Sequence, residues 1–452
     1  MRLSPETLLQ SLQAETELHS ELPVWIAYSG GMDSHVLLQL AVEAGLSRSV
    51  RLGAVHVHHG LQPEADGWAE HCESVCASLG VDFRRYDAGL AAGAGLENRA
   101  REARYRIFTE LMADGGLLLQ AHHADDQAET LLFRLLRAGG VRGLAGIPAS
   151  RALGQGMLLR PLLGLTREQL RQYALDLGLS WIEDPSNQDL VHNRNYLRAR
   201  VLPALQQRWP DLANAFGKSA SHCRDALLLS QDLARIDLEA CRLSGGGLAI
   251  DQLKGLAEHR RWNLLRHWLH QQELNPNEQQ LHQLWRDLVC AREDAQPRFE
   301  FARVSIRRYR KGLYLIETQR DLGQEATDWS QPVTLNSGHV TELLLPFGQL
   351  KLEPVVGLGL RIPDQAHVTI RPRQGGERIR LAGRDGSRSL KKLLQQAAVP
   401  PWLREKMPLV YVDEELAAVA DLWISADFEA GASQPGWRLK WDSTTGLEKG
   451  PI

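Results

Sequence analysis

The sequence predicts an α/β protein with a parallel, doubly wound N-terminal domain, a helical middle domain and a small α+β C-terminal domain. Three observations carry this. Short apolar runs alternate with amphipathic stretches from about residue 22 to 200. From about Leu212 to Ala291 the pattern is helical, without clear strands. Strand-like runs return around one short helix between about residues 346 and 440. A chain of 452 residues has room for two or three domains. Boundaries are expected at 1–211, 212–320 and 346–440, with the polar, Gly- and Pro-containing residues 318–345 read as a linker.

In the first domain, strands are expected at Val24–Tyr28, Leu52–Val57, Asp82–Tyr86 and Leu117–Ala121. Helices are expected at Ser34–Ala44, Asp66–Leu79, Leu96–Ala113 and Asp125–Leu136. Such βαβ alternation makes a parallel sheet covered on both faces, and ligands of such sheets sit beyond the carboxyl ends of the strands. Ser29–Ser34, His56–Gly60 and His122–Asp126 all follow strand ends, so three distant segments are expected to meet in one crevice. In the middle domain, Arg261–Leu269 has a period of 3.6, and residues 298–317 alternate as a closing hairpin would. The last domain shows strand-like runs at Val368–Arg371, Leu409–Val412 and Ala417–Trp423, with a helix at Leu390–Ala397.

Bulk properties narrow the class. Hydrophobic residues make up 43% of the chain, which excludes wholesale disorder. A net charge of −3 means that nucleic-acid binding has to come from local basic patches. The five cysteines are scattered and imply no disulfide framework, as in a reducing cytosol. The N-terminus has no signal-peptide core, and no apolar run approaches the length of about 18 residues that spans a membrane, so a cytoplasmic protein is expected.

Ser29-Gly30-Gly31-Met32-Asp33-Ser34 joins the first strand to the first helix of the sheet. Glycines there let backbone N–H groups close on an anion, and the helix dipole adds positive potential. With two serine hydroxyls the turn reads as a phosphate cradle, and it is not a Walker A loop, since no Gly-Lys-Ser/Thr follows. Asp33 beside phosphates calls for a cation, and Mg²⁺ with oxygen ligands fits; a plain helix cap is the structural alternative. His56-Val57-His58-His59 raises zinc, but no cysteine or further histidine stands at zinc-like spacing, and contacts to nucleotide or substrate are favoured. In His122-His123-Ala124-Asp125-Asp126-Gln127-Ala128-Glu129, Asp126 and Glu129 fall on one helical face. That pair suits a metal, a substrate ammonium or a proton, while Asp125 is explained by capping alone. Asn98–Arg106, with Tyr105 embedded, reads as a phosphate- or RNA-contacting helix or as a solvated face. Residues 371–406 carry ten Lys or Arg against three Asp or Glu, including Arg371, Arg373, Arg378, Arg380, Arg384, Arg388, Lys391 and Lys392. Such a cluster in an acidic chain suits a phosphodiester backbone.

Together these segments resemble the PP-loop family of ATP pyrophosphatases, whose signature is Ser-Gly-Gly-x-Asp-Ser. More closely they resemble the tRNA(Ile)-lysidine synthetase family, over nearly the whole chain: Ser29–Ser34, His56–Leu61, Glu97–Tyr105, His122–Thr130, Arg160–Leu163, Trp181–Asn187, Arg194–Arg198, Gly383-Arg384, Leu390–Leu394 and Pro400–Trp402. Two positions depart from the pattern: Met32 where Leu is common, and Ala138 where Gly is usual.

The resemblance implies ATP-dependent attachment of free L-lysine to C2 of the wobble cytidine in a tRNA(Ile) with a CAU anticodon. An adenylated cytidine is the implied intermediate, and AMP and pyrophosphate are released. It implies ATP held by Ser29, Gly30, Gly31, Met32, Asp33 and Ser34, with Mg²⁺ on Asp33. Asp126 and Glu129 are the implied lysine-ammonium and proton-accepting groups, and Arg104 and Arg194 would stabilise phosphate charge or orient substrate. The last domain would grip tRNA, and a homodimer is left open. Rival readings are a tRNA-thiolating relative, which wants paired reactive cysteines; a small-molecule ligase of the superfamily, which the basic last domain disfavours; and a non-catalytic RNA module, which the Asp125–Glu129 acids disfavour.

Overall fold

The computed structural model describes residues 3–16, 22–46, 50–60, 63–89, 96–185, 189–243, 247–292, 295, 297–301, 304–317, 329–335, 339–363, 365–383, 386–397 and 399–443. Leu61, Ser186, Asn187, Arg384 and residues 318–328 of the expected linker lie outside the described residues. The backbone divides into two compact units, Met1–Leu229 and Ser230–Ile452. Among the described residues no helix is long and apolar enough to cross a membrane.

The first unit opens with α1 (Pro5–Gln13), whose start is fixed by a reciprocal cap between Ser4 and Thr7. There follow β1 (Val24–Ala27), α2 (Met32–Glu43), β2 (Leu52–His58), α3 (Ala65–Leu79), β3 (Asp82–Asp87), α4 (Leu96–Leu111), β4 (Leu117–Leu119) and α5 (Ala124–Leu135). Then come α6 (Val141–Leu144), β5 (Ser150–Leu153), β6 (Gly156–Leu159), α7 (Arg167–Asp176) and α8 (Asn193–Tyr196), which runs through a π turn, Leu197–Val201, into α9 (Leu202–Arg208).

The sheet order is β3-β2-β1-β4-β6-β5, parallel except for β5. The chain winds outward from β1 in both directions, so the crevice at the end of β1 is the topological switch point. The expected elements are present to within a few residues. Residues alternate between the two faces. Ile26, Ala54 and Leu119 enter one core with Val36, Leu37, Leu40, Cys72 and Leu170, while Trp25, Val55 and Leu118 enter another with Phe108 and Met112. Each such large apolar side chain contributes about 1.5–3 kcal/mol by burial. Gly53 sits opposite Trp25 in register, where a Cβ would come within 2.3 Å of the indole. The β5–β6 hairpin has no counterpart in the sequence reading, because its two four-residue strands show no clear alternation.

The second unit takes over part-way along α10 (Leu212–Cys241). It continues through β7 (Leu248–Ala249), α11 (Ile250–Gly255), α12 (Glu258–His270), α13 (Glu278–Leu284), β8 (Arg298–Phe301), β9 (Val304–Tyr309) and β10 (Gly312–Glu317). The expected hairpin is an antiparallel sheet of order β7-β10-β9-β8. The stretch read as strand-free contains β7, two residues long and too short to show a period.

The last part comprises β11 (Gln331–Val333), β12 (Thr341–Leu345), β13 (Gly348–Val356), β14 (Val368–Arg371), β15 (Arg378–Ile379) and β16 (Arg388–Ser389). It continues with α14 (Leu390–Gln396), α15 (Pro401–Arg404), β17 (Leu409–Val412), β18 (Glu415–Val419), β19 (Trp423–Ile424) and β20 (Pro435–Ser443). Reading 318–345 as linker needs correcting at two places: β11 pairs with β14, and β12 pairs with β13. Both are short and carry polar or proline residues that hide their period. The run Ala417–Trp423 is broken by Ala420 at φ 45°, after which β19 folds back on β18.

Glu377 organises the basic stretch before β15. Its Oε1 accepts from the N–H groups of Gln374 (2.6 Å) and Gly375 (2.5 Å), and its Oε2 faces Arg373 Nε at 3.2 Å. Burial opposes its charge, but these donors and the guanidinium outweigh burial and hold its pKa below the usual 4.5. Its stabilising effect is therefore present above that value and lost as pH falls through the lower folded one. Glu377→Gln is expected to lower stability at pH 7 by about 1–3 kcal/mol. In thermal melts the gap to the native chain should shrink below about pH 4; a gap that widens in acid contradicts this account.

Candidate active site at the strand ends

The turn after β1 is built as its glycines require. Gly30 sits at φ +83°, and a Cβ there would come within 2.5 Å of Ile182 Cδ1 and 2.9 Å of Cys72 Sγ. Gly30 O accepts from the N–H of Ile182 at 2.9 Å, so the Trp181–Asp184 segment seals the back of the loop. The serine hydroxyls brace the turn itself: Ser34 Oγ donates to Gly31 O (2.9 Å), accepts from Ser29 N (3.2 Å) and lies 3.1 Å from Ser29 Oγ. Gly31 is the N-cap of α2 and supplies no side-chain cap, which leaves the first-turn N–H groups available to an anion. Met32 turns into the core.

At the end of β2, His56 Nδ1 donates to Tyr28 O at 3.0 Å. His58 lies 3.4 Å from Asp66 and 3.2 Å from Asp87. Burial, then the nearby Arg104 charge, pushes the pKa of His59 down to about 4.

At the end of β4, His123 caps α5 and donates its backbone N–H to Asp126 Oδ2 at 3.0 Å. Its Nε2 lies 3.3 Å from Asp126 Oδ2 and 3.7 Å from Asp33 Oδ2, so the histidine links the phosphate turn to the acid cluster. Burial opposes a charge on His123, but Asp33, Asp126 and Asp125 outweigh it and hold its pKa above the ordinary value. Burial likewise opposes charge on Asp33, but His123, Arg167 and Arg198 hold that carboxyl below its usual range. Asp125 is structural: it accepts from Arg167 N at 2.7 Å and from Gln206 at 3.3 Å.

Glu129 is only 2% exposed and is clamped by two guanidiniums. Arg194 Nε lies 2.8 Å from Oε1, and Arg198 Nη2 lies 2.7 Å from Oε2. Arg198 also reaches Asp126 Oδ1 at 3.2 Å. Burial disfavours its charge, yet Glu129 and Asp126 keep its pKa raised. Sequence reasoning singled out Arg194 but not Arg198. The available signal was their four-residue spacing, which stacks both on one helix face toward one buried acid.

Two cavities meet here. A crevice of about 570 Å³ is lined by Ser29, Gly31, Asp33, Ser34, His59, Phe108 and Asp126, among others. A chamber of about 1030 Å³ carries Arg101, Arg104, Arg134, Arg137, Arg151, Arg160 and Arg194. Arg104 and His122 line both. Tyr105 lies between two of the guanidiniums, with Arg151 Cζ 4.5 Å and Arg101 Cζ 4.9 Å from its ring centroid. Ala138, at the departure noted in the sequence, has φ +55° and so adopts the left-handed conformation in which glycine is at ease.

In the last domain the basic cluster is partly neutralised. Arg371 pairs with Glu414, Arg373 with Glu377 and Arg380 with Asp427. Arg388, Lys391 and Lys392 are exposed, and no described carboxylate pairs with them.

A glycine turn at the switch point of a parallel sheet, opening on carboxylates and an arginine chamber, defines a nucleotide-using enzyme of the PP-loop class, and residues 4–205 match the PP-loop domain model. Residues 248–314 match the TilS substrate binding domain and residues 368–441 the TilS substrate C-terminal domain. The chain is 39% identical to a tRNA(Ile)-lysidine synthase of Coxiella burnetii, covering 97% of this chain and 96% of that one. It is 43% identical to one of Xanthomonas campestris pv. campestris (93% and 95% covered) and 40% identical to one of Pseudomonas aeruginosa (97% and 99%). The chain belongs to the tRNA(Ile)-lysidine synthase family and is an enzyme of that family.

Gly30→Ala is expected to leave a folded protein with ATP affinity reduced about tenfold or more, because the added methyl meets Ile182 and strains a positive φ. Calorimetric titration with ATP, alongside circular dichroism, checks this; native affinity in the variant would refute the cradle geometry.

Proposed function

We propose how this chain carries out the ATP-dependent ligation of lysine to the wobble cytidine of tRNA(Ile). The observation that carries the reading is the meeting of the phosphate turn, Asp126 and the arginine chamber across one seam at Arg104 and His122. ATP lies in the crevice with its phosphates on Ser29–Ser34 and the N-terminus of α2. The anticodon loop enters the chamber, where Arg104 and Arg194 meet phosphate charge. Its unpaired cytidine is splayed toward the seam at little cost in lost pairing. Cytosine O2 forms a bond to the α-phosphorus while the bond from that phosphorus to the pyrophosphate oxygen breaks. The lysine ε-nitrogen then bonds to C2, the C2–O bond breaks and AMP leaves with that electron pair. Catalysis of this kind rests mainly on positioning and charge neutralisation.

Asp33 fits a Mg²⁺ ion. Its Oδ1 is buried and accepts no hydrogen bond among the described residues, the hard-oxygen donor this ion takes. No described group of three or more His, Cys, Asp or Glu is arranged to hold a metal by itself, so phosphate oxygens and water would complete the shell. When bound, the ion supplies neutralisation of phosphate charge.

The lysine amine must lose a proton. With a pKa of about 10.4, only about one molecule in 2,500 is neutral at pH 7, a deficit of about 4.6 kcal/mol. Asp126 lines the crevice, and in this scheme it holds the ammonium and takes up or passes on that proton. Glu129, a candidate for the same role, does not line the crevice and is buried against Arg194 and Arg198, so its part is to hold these guanidiniums in place. The tRNA carries the CAU anticodon, and the last domain grips it away from the reacting base through Arg388, Lys391 and Lys392. The scheme uses residues of one chain, and a homodimer would add none of the groups named.

The test of the whole is incorporation of radiolabelled lysine into transcribed tRNA(Ile), with AMP and pyrophosphate counted. Absence of cleavage between the α- and β-phosphates would overturn it. Asp126→Asn should raise the KM for lysine about tenfold or more and leave ATP affinity within about twofold; equal losses for both would assign Asp126 to general folding. Replacing Arg388, Lys391 and Lys392 together by Ala should weaken tRNA binding and flatten its salt dependence by about 2–3 in log–log slope. Filter binding across salt concentrations measures both, and an unchanged slope would remove these cations from the contact.

A further inference from the structure

His122 stands at the seam and is held in one way. Arg160, only 6% exposed, is fixed at all three nitrogens: Nη1 donates to Pro148 O (2.8 Å), Nη2 to Gln120 Oε1 (3.2 Å) and Nε to His122 Nδ1 (3.2 Å). A guanidinium is always protonated and can only donate. His122 Nδ1 must therefore present its lone pair, which puts the proton of the neutral ring on Nε2, at the edge away from Arg160. His122 lines both the nucleotide crevice and the arginine chamber. The other charged groups facing it are Asp126, Arg101 and Arg104. Burial pushes its pKa down to about 4, with Asp126 opposing and Arg160, Arg101 and Arg104 reinforcing, so the ring stays neutral across the working range.

We propose that Arg160 is a positioning residue that locks His122 as its Nε2–H tautomer, and that this N–H donates a hydrogen bond to ring nitrogen N3 of the cytosine during displacement of AMP by lysine. The assignment rests on the reaction proposed above. N3 is the acceptor the chemistry selects. O2 is consumed in its bond to phosphorus, whereas amine attack at C2 pushes electron density toward N3. A fixed donor at N3 therefore strengthens as charge develops there. A protonated His122 would lose its bond from Arg160 and leave two cationic groups in contact, and the neutral Nδ1–H tautomer would set two N–H donors against each other.

The tautomer is read directly by long-range ¹H–¹⁵N correlation on ¹⁵N-histidine-labelled full-length protein, with His122→Asn assigning the signal. His122 should show bare Nδ1 and protonated Nε2 from about pH 5.5 to 8, and in Arg160→Met it should mix tautomers. A wild-type His122 that carries its proton on Nδ1, or titrates near neutrality, overturns the proposal whether or not the Arg160 variant folds. The base contact is read from single turnovers with tRNA(Ile). His122→Leu should slow lysine-dependent AMP release about tenfold or more while slowing pyrophosphate release much less, and His122→Asn, which keeps an N–H donor, should recover part of the loss. Equal slowing of both steps, or no slowing, overturns the contact. If the native enzyme forms no AMP with tRNA, the reaction scheme fails instead, and the tautomer result still stands on its own.

Discussion

A carboxylate buried to 2% exposure cannot remain charged without partners, and in this chain Glu129 obtains two. That requirement shapes the first unit. It ties α5, which leaves the centre of the sheet, to α8 and its π turn, more than sixty residues later in the chain. The same Arg198 reaches Asp126, Asp126 meets His123, and His123 meets Asp33 in the phosphate turn. One line of alternating charge thus runs from the helix that closes the site to the loop that opens it. Removing any member leaves a neighbour buried and unmatched, so the network sets positions more than it adds net stability.

Around that line the site separates its tasks. Backbone N–H groups and a helix N-terminus open on the crevice, where fixed partial charges need no side-chain ordering. Guanidiniums that are themselves packed or hydrogen-bonded line the chamber. The serines spend their hydroxyls on the turn's own geometry, so the cradle is rigid before any ligand arrives. Preorganisation of this kind is what a reaction run by positioning requires.

Much of this was legible in the sequence. Ile26, Ala54 and Leu119 sit on one face and Trp25, Val55 and Leu118 on the other because uniformly apolar runs such as Val24–Ala27 can only be central strands of a covered sheet. Gly30 and Asp126 were legible because a turn and a helix start restrict residue type. Arg160 and Arg198 were harder to see as site residues. Their partners, His122 and Glu129, lie 38 and 69 residues away in sequence, so no short segment joins either pair. The strands β11 and β12 were hidden by length and polarity, since three to five residues cannot establish a period. Ala138 was the reverse case: an unusual residue noted in the sequence, whose backbone holds the conformation that glycine would adopt more easily.

The π turn at Leu197–Val201 sets the phase of the helix that follows it, whose Leu202 packs with Ala128 and whose Gln206 donates to Asp125. Such a turn is one residue more than a regular helix needs. Its excision would leave an ordinary, continuous helix of nearly the same length, but every side chain beyond the join would swing by about 100° about the axis. Local regularity would be gained, and Leu202 and Gln206 would turn away from Ala128 and Asp125. An irregular winding here serves as the phase setting between the clamp and the helix packed behind it.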